Sequence, residues 1–178
     1  MTKLMDCVSI IGGKGLVGSC LVEKAKKAFY SVNATHRSKE IKPYDGVFWH
    51  GMDLELLSDL RIPSKPQVLF LVAAMAKVVD CEAYPQTSWR VNADAPAQLS
   101  LMAAAEGVKV IFISSDAVER APGLNYSRQK AYAEQIVLST FGGCVVRPAR
   151  ITPDRVSDFC DMLIELSRGK NGGLVRWP

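Results

Sequence analysis

Six apolar runs punctuate this chain, and between them apolar positions recur at helical spacing. The runs lie at 7–12, 31–36, 46–50, 67–73, 108–114 and 143–148. Most are continuous rather than alternating, as in VLFLVAAMA and VKVIFIS, which is the pattern of strands buried on both faces. The segments between them, 15–29, 53–60, 86–106, 125–141 and 154–168, read as helices. Alternation of strand and helix predicts an α/β fold of the Rossmann type, a doubly wound parallel sheet in three layers. Right-handed crossovers then give the strand order 3-2-1-4-5-6. Such a sheet gathers its ligand crevice at the carboxyl ends of the strands, at the switch between the first and the fourth. Gly12, Arg37, Ala73, Ala74, Ser115 and Pro148 all fall at predicted strand ends.

Composition narrows the class without naming a function. The 178 residues are 48% apolar and 22% charged, as in one globular domain with a real core. A net charge of +4 is too small to argue for nucleic acid, and no basic and aromatic residues interleave as a stacking platform would need. The 5 cysteines are scattered, odd in number and without C-x-x-C spacing, which fits reduced thiols in the cytoplasm. With only 2 histidines and no Cys/His cluster, no metal site is expected. The longest apolar run is too short to span a membrane. The first apolar segment runs straight into a glycine turn, unlike a signal peptide.

That turn carries the first candidate chemistry. Gly12, Gly15 and Gly18 have the spacing G-x-x-G-x-x-G between a predicted strand and an amphipathic helix. Glycine removes the Cβ that would hold a pyrophosphate away, and the helix start offers free N–H groups and the positive end of its dipole. The plain alternative is an ordinary tight βα turn. At the end of the second strand, an NAD-preferring fold usually places Asp or Glu against the ribose hydroxyls. This chain has Arg37, followed by Ser38 and Lys39. A guanidinium can clamp a 2′-phosphate, so NADPH is the expected cofactor, with NADH as the alternative. Otherwise Arg37 and Lys39 belong to a solvated loop.

The second candidate site is NYSRQK, in which Tyr126 and Lys130 stand four apart. That spacing puts ammonium and phenol on one helix face. A nearby cation should lower the tyrosine pKa from about 10, and a three-unit shift would need roughly 4 kcal/mol. Tyr126 would then serve as a general acid or base near neutral pH. Ser115, at the end of the preceding strand, could hold a carbonyl or alcohol oxygen. Tyr-x-x-x-Lys alone is a weak signal, because a helix-start aromatic followed by a solvated lysine gives the same spacing.

In combination these segments resemble the extended short-chain dehydrogenase/reductase family, most closely its dTDP-dehydrorhamnose reductase-like, sugar-nucleotide-binding branch. The matching stretches are IIGGKGLVGS, LVAAMAKVVDCEAYPQTSWRVNADAP, VKVIFISSDAV, NYSRQKAYAEQIV and CVVRPARI, in family order over most of the chain. The resemblance implies that Gly12, Gly15, Leu16, Val17 and Gly18 contact the pyrophosphate and that Asp53 and Leu54 flank the adenine. It implies that Ala73, Ala74 and Met75 border the nicotinamide ribose, with residues from Arg147 to Ile151 closing the nicotinamide side. Ser115, Tyr126 and Lys130 would form the catalytic triad, Lys130 also binding the nicotinamide ribose. Asn92 lies on a supporting helix, where a structural hydrogen bond and a functional one are equally open.

The implied reaction is reversible hydride transfer to a carbonyl of a small-molecule substrate, a nucleotide sugar by resemblance. The family continues into a smaller substrate-binding domain, so residues 1–178 are expected to form a single NAD(P)-binding domain that stops short of it after about residue 170. The stretch from Ser115 to Tyr126 is short for this branch, and Ala117 and Glu119 stand where it usually has aromatics. Members of the family commonly pair as homodimers through helices that correspond to 86–106 and 125–141. Two classes of function remain open, an NAD(P)-dependent oxidoreductase of reductase or epimerase type and a non-catalytic dinucleotide-binding module with a regulatory or scaffold role.

Overall fold

The computed structural model describes residues 5–37, 46–169 and 172–178. Among the described residues, seven parallel strands form one sheet in the order β3-β2-β1-β4-β5-β6-β7. They are β1 (Met5–Ile11), β2 (Phe29–His36), β3 (Val47–Gly51), β4 (Val68–Leu71), β5 (Lys109–Ile113), β6 (Cys144–Pro148) and β7 (Gly173–Trp177). The doubly wound order expected from the alternating pattern is present, and β7 extends it by one strand beside β6. No expectation covered β7, because the run Gly173–Trp177 is short and glycine-led.

The continuous apolar runs are explained by burial on both faces. Val8, Ile10, Val32, Phe70, Ile111 and Val146 face one layer, formed by α1 (Leu16–Ala28) and α7 (Val156–Arg168). Ile11, Leu69, Leu71, Val110, Phe112 and Val145 face the other, where Leu99, Ala103, Ala133 and Val137 arrive from the helices of the opposite layer. Successive residues of a strand point to opposite sides, so a strand covered twice is buried at every position, including the polar Ser9, Asn33 and Thr35.

The opposite layer departs from expectation in detail. The helix expected over 86–106 is preceded by α2 (Val78–Ala83), and it runs as α3 (Pro85–Trp89), a π-helical stretch (Arg90–Asp94) and α4 (Ala95–Ala105). Pro96 has no N–H to give the carbonyl four residues back, and the wider turn lies just before it. The short segment after β5 holds α5 (Ala117–Arg120), followed by α6 (Asn125–Ser139). The helix expected over 53–60 is instead a single 3₁₀ turn at Leu57–Asp59. Side chains have taken the backbone donors there: Glu55 N–H bonds Asp53 Oδ1 at 3.0 Å and Asp53 N–H bonds Asp59 Oδ2 at 3.0 Å. Aspartate competes with helical hydrogen bonding in this way.

Trp89 and Tyr132 meet in a tilted ring contact at 5.5 Å between centroids, and Trp89, Tyr132, Leu101 and Met102 are among the exposed large apolar side chains. Among the described residues no helix is long and apolar enough to cross a membrane.

At the sheet centre β1, α1 and β4 meet with no space to spare. A Cβ on Gly18 would stand 2.0 Å from the Gly12 carbonyl oxygen. Gly18→Ala is therefore expected to lower stability by roughly 1–3 kcal/mol, the usual range for overpacking, measured by urea unfolding at 25 °C.

Candidate active site

The carboxyl edge of the sheet begins at the glycine turn. Gly12 adopts φ +98°, and a Cβ there would sit 2.7 Å from Ala73 Cβ. Its N–H donates to Thr35 Oγ1 at 3.1 Å, and Gly13 N–H donates to Thr35 O at 2.9 Å, so the end of β2 holds the turn. Gly15 differs from its neighbours, since a Cβ there would meet nothing closer than Gly12 O at 4.0 Å. Nothing in the protein requires glycine at that position. The cradle it leaves lies against the start of α1, whose first N–H groups have no partner within the helix. That is where a pyrophosphate needs close approach to backbone, so the residues present fit a dinucleotide.

Beside the turn, a cleft of about 330 Å³ is bordered by Gly12, Thr35, His36 and Arg37, by Met52, Asp53 and Leu54, and by Ala73, Ala74 and Met75. A contiguous cleft reaches Gly15, Leu16, Val17 and Gly18. Apart from Tyr126 and Lys130, the expected cofactor residues therefore line these two adjoining clefts. Arg37 is 72% exposed and bonded to two carboxylates, with Nη2 to Glu55 Oε1 at 2.8 Å and Nε to Asp53 Oδ2 at 3.3 Å. Ser38, Lys39 and Lys42 lie outside the described residues. Two residues of this region went unnoticed in the sequence. Lys14 projects from the turn with its ammonium 4.3 Å from the Trp49 ring centroid, and Glu55 joins the rim. Lys14 was legible in principle as a cation inside the glycine turn. Glu55 was not, because only the missing helix at 53–60 brings it there.

A further cavity of about 580 Å³ continues from Val17, Val72, Ala74 and Ala76 to Ser115, Tyr126 and Lys130. The three expected catalytic residues thus line one space. Ser115 Oγ accepts a hydrogen bond from Ala117 N–H at 3.2 Å and donates its own proton to Asp116 Oδ1 at 3.4 Å. Its neighbour Ser114 is buried with its hydroxyl unpaired. Tyr126 is 9% exposed and Lys130 is 1% exposed.

Lys130 does not act on Tyr126 as the spacing suggested. Its Nζ donates to Ile113 O at 2.8 Å and lies 4.5 Å from the Phe112 ring centroid, against 6.0 Å for Tyr126. Burial pushes the Tyr126 phenol above its ordinary value, with the Ser115 hydroxyl opposing the shift. The expected lowering of the tyrosine is therefore reversed in this state. Burial also pushes Lys130 down to about 8, with Glu134 opposing. Desolvation outweighs the attraction between an ammonium and a phenol when both are removed from water.

The surrounding shell is polar and closely bonded. Asn92, fully buried in the π-helical stretch, accepts from Met75 N–H at 2.8 Å and donates to both Met75 O and Gln129 Oε1 at 3.0 Å. It fixes the loop that borders the groove, so the structural role is the one seen. Glu82 accepts from Asn125 N–H at 2.7 Å and Asn125 Nδ2 at 2.8 Å, tying the start of α6 to α2. Arg147 departs from expectation. Pro148, Ala149, Arg150 and Ile151 do line the cavity, whereas Arg147 bonds the buried Glu134 through Nε at 2.8 Å and through Nη2, and Glu119 through Nη1. A carboxylate as buried as Glu134 requires such a partner.

Comparison with known proteins gives one family and one fold. The family model described as RmlD substrate binding domain matches residues 5–172. Among curated proteins no sequence matches. A hypothetical dTDP-4-dehydrorhamnose reductase from Sulfolobus tokodaii superposes with a TM-score of 0.78 at 17% identity, over 95% of this chain and 75% of that one. The dTDP-4-dehydrorhamnose reductase of Bacillus anthracis, in complex with NADP, gives 0.74 at 17% identity over 99% and 75%. The UDP-N-acetylglucosamine 4-epimerase of Methanobrevibacter ruminantium, in complex with UDP-N-acetylmuramic acid, gives 0.77 at 19% identity over 98% and 76%.

The depressed Lys130 pKa has a consequence for stability. The unfolded lysine titrates near 10.4 and the folded one near 8. Between those values the unfolded state binds more protons, so this group makes the fold more stable as pH rises from 8 to above 10. Urea unfolding of wild type and Lys130→Met at pH 7 and pH 10 is expected to show the variant's relative stability falling by roughly 2–3 kcal/mol between the two.

Proposed function

The chain belongs to the RmlD substrate binding domain family, and on that premise we propose that it is an NAD(P)-dependent oxidoreductase acting on a carbonyl or alcohol carbon of a nucleotide-sugar-like substrate. The observation that carries this reading is the shared cavity of Ser115, Tyr126 and Lys130, joined at Val17, Val72 and Ala74 to the glycine-turn groove. Reductase, epimerase and cofactor-bound relatives share the fold, and this supports the reading at the level of architecture. NADPH is the proposed cofactor on the strength of Arg37, with NADH as the alternative.

When bound, the nicotinamide supplies or accepts the hydride. The chain's own residues do the rest. The Ser115 hydroxyl donates to the substrate oxygen and orients it. The Tyr126 phenol, kept protonated by its burial, suits the reduction direction, in which it gives its proton to the oxygen as the carbon takes the hydride. The Lys130 ammonium then faces a phenolate across the ring and favours it electrostatically. Gly15, Leu16, Val17 and Gly18 hold the pyrophosphate, Asp53 and Leu54 the adenine side, and Ala73, Ala74 and Met75 the nicotinamide ribose. Arg150 and Ile151 close the far wall. Exposed Trp89, Leu101, Met102 and Tyr132 lie within the segments 86–106 and 125–141, through which a second copy would pair.

A non-catalytic dinucleotide-binding role is the second reading, favoured by Lys130 facing Ile113 O rather than the phenol. Tyr126→Phe separates the two. Turnover is expected to fall by about 10²–10⁴, with cofactor affinity held within about twofold. Unchanged turnover would remove the catalytic assignment. Calorimetric titration is expected to show NADPH binding weakened about tenfold by Arg37→Ala, in line with one charged hydrogen bond. Binding of neither NADPH nor NADH would overturn the reading as a whole.

A further inference from the structure

Among the described residues, the rim of the adenosine cleft sets two carboxylates against the guanidinium that a 2′-phosphate would need. Arg37 stands at the end of β2, where the ribose hydroxyl edge of a bound dinucleotide falls. It is held by two carboxylates at once, Glu55 at 2.8 Å and Asp53 at 3.3 Å. Asp53 is fixed from behind. Glu55 N–H donates to Asp53 Oδ1, and Asp53 N–H donates to Asp59 Oδ2, each at 3.0 Å. Side-chain exposure is 27% for each acid against 72% for Arg37, so the guanidinium is the member of the cluster most open to a ligand. The neighbouring guanidinium offers no surplus charge, because Arg61 is bonded to Asp59 Oδ1 at 3.0 Å and to Gly51 O at 2.7 Å.

We propose that Glu55 is a cofactor-specificity residue: it competes with the cofactor's 2′-phosphate for Arg37 and so limits the preference for NADPH over NADH. The inference rests on the cofactor reading above and deepens it. A 2′-phosphate carries up to two negative charges near neutral pH and must draw Arg37 from acids that remain within a few ångströms. An unphosphorylated ribose faces no such competition, and its hydroxyls are donors that Glu55 or Asp53 can accept. An acid in the loop after β3 thereby takes the part that an acid at the end of β2 plays in NAD-preferring folds. Asp53 is braced by two backbone N–H contacts, its own and that of Glu55, whereas Glu55 lends its carboxylate to Arg37. Glu55 is therefore the residue whose neutralisation frees the guanidinium with least disturbance.

The test is calorimetric titration of the full 178-residue chain with NADPH and NADH, as wild type, Glu55→Gln, Glu55→Ser and Glu55→Gln/Arg37→Ala. Each Glu55 single variant is expected to tighten NADPH about three- to tenfold, the scale of a local charge pair, while NADH stays within about twofold or weakens. Most of the NADPH gain should vanish when Arg37 is also removed. Adenosine 2′,5′-bisphosphate and 5′-AMP, titrated as fragments, should reproduce the same split. An unchanged ratio of NADPH to NADH affinity in both single variants, or equal tightening of both cofactors, overturns the role of Glu55 and leaves the cofactor reading intact. Failure of the wild-type chain to bind either dinucleotide overturns both together.

Discussion

The close approach of Gly12 to Ala73 and Gly18 is the constraint on which the rest of the structure depends. It joins β1, α1 and β4 at the point where the sheet reverses direction, with added Cβ atoms 2.7 Å from Ala73 and 2.0 Å from Gly12 O. Because the strands are parallel, every strand end that follows opens on the same edge. Thr35 ties the second strand to the turn through its hydroxyl and carbonyl. The groove from Arg37 to Tyr126 is therefore a consequence of strand order. A wider turn at Gly12 would move α1 off the sheet and take the pyrophosphate cradle at Gly15 with it.

Around that edge the protein accepts buried charge. Lys130 is enclosed beneath the cavity against Ile113 O, Glu134 follows one turn later on α6, and Arg147 on β6 holds Glu134 and reaches Glu119 on α5. Such pairs cost desolvation and add little net stability. What they add is position, since α5, α6 and β6 are cross-bonded around the cavity. Asn92, Gln129 and Ser88 continue the bonding into the opposite layer. Tyr126 and Lys130 are thus pulled toward their neutral forms by a site whose geometry keeps them together.

The Arg37 end of the groove follows a different logic. Arg37 is exposed and is shared between two partly exposed acids, so the cluster is ordered by competition among nearby charges rather than by burial.

The sequence by itself determined the fold class and the order of the first six strands. Continuous apolar runs alternating with helical periodicity are the pattern of strands covered on both faces. Ser115, Tyr126 and Lys130 were legible because they sit at a strand end and on the first turns of the next helix, positions that local periodicity fixes. Tertiary structure alone decided the rest. The strand at Gly173–Trp177 is specified by pairing with β6, not by its own pattern. The segment 53–60 lost its helix to Asp53 and Asp59, whose carboxylates took the backbone donors, and this brought Glu55 to Arg37. The Tyr126 pKa was misjudged because four-residue spacing places a lysine on the same face but cannot say that its ammonium turns to Ile113 O. Local pattern records which groups are near along the chain; burial and competing partners, which set their charges, are properties of the folded whole.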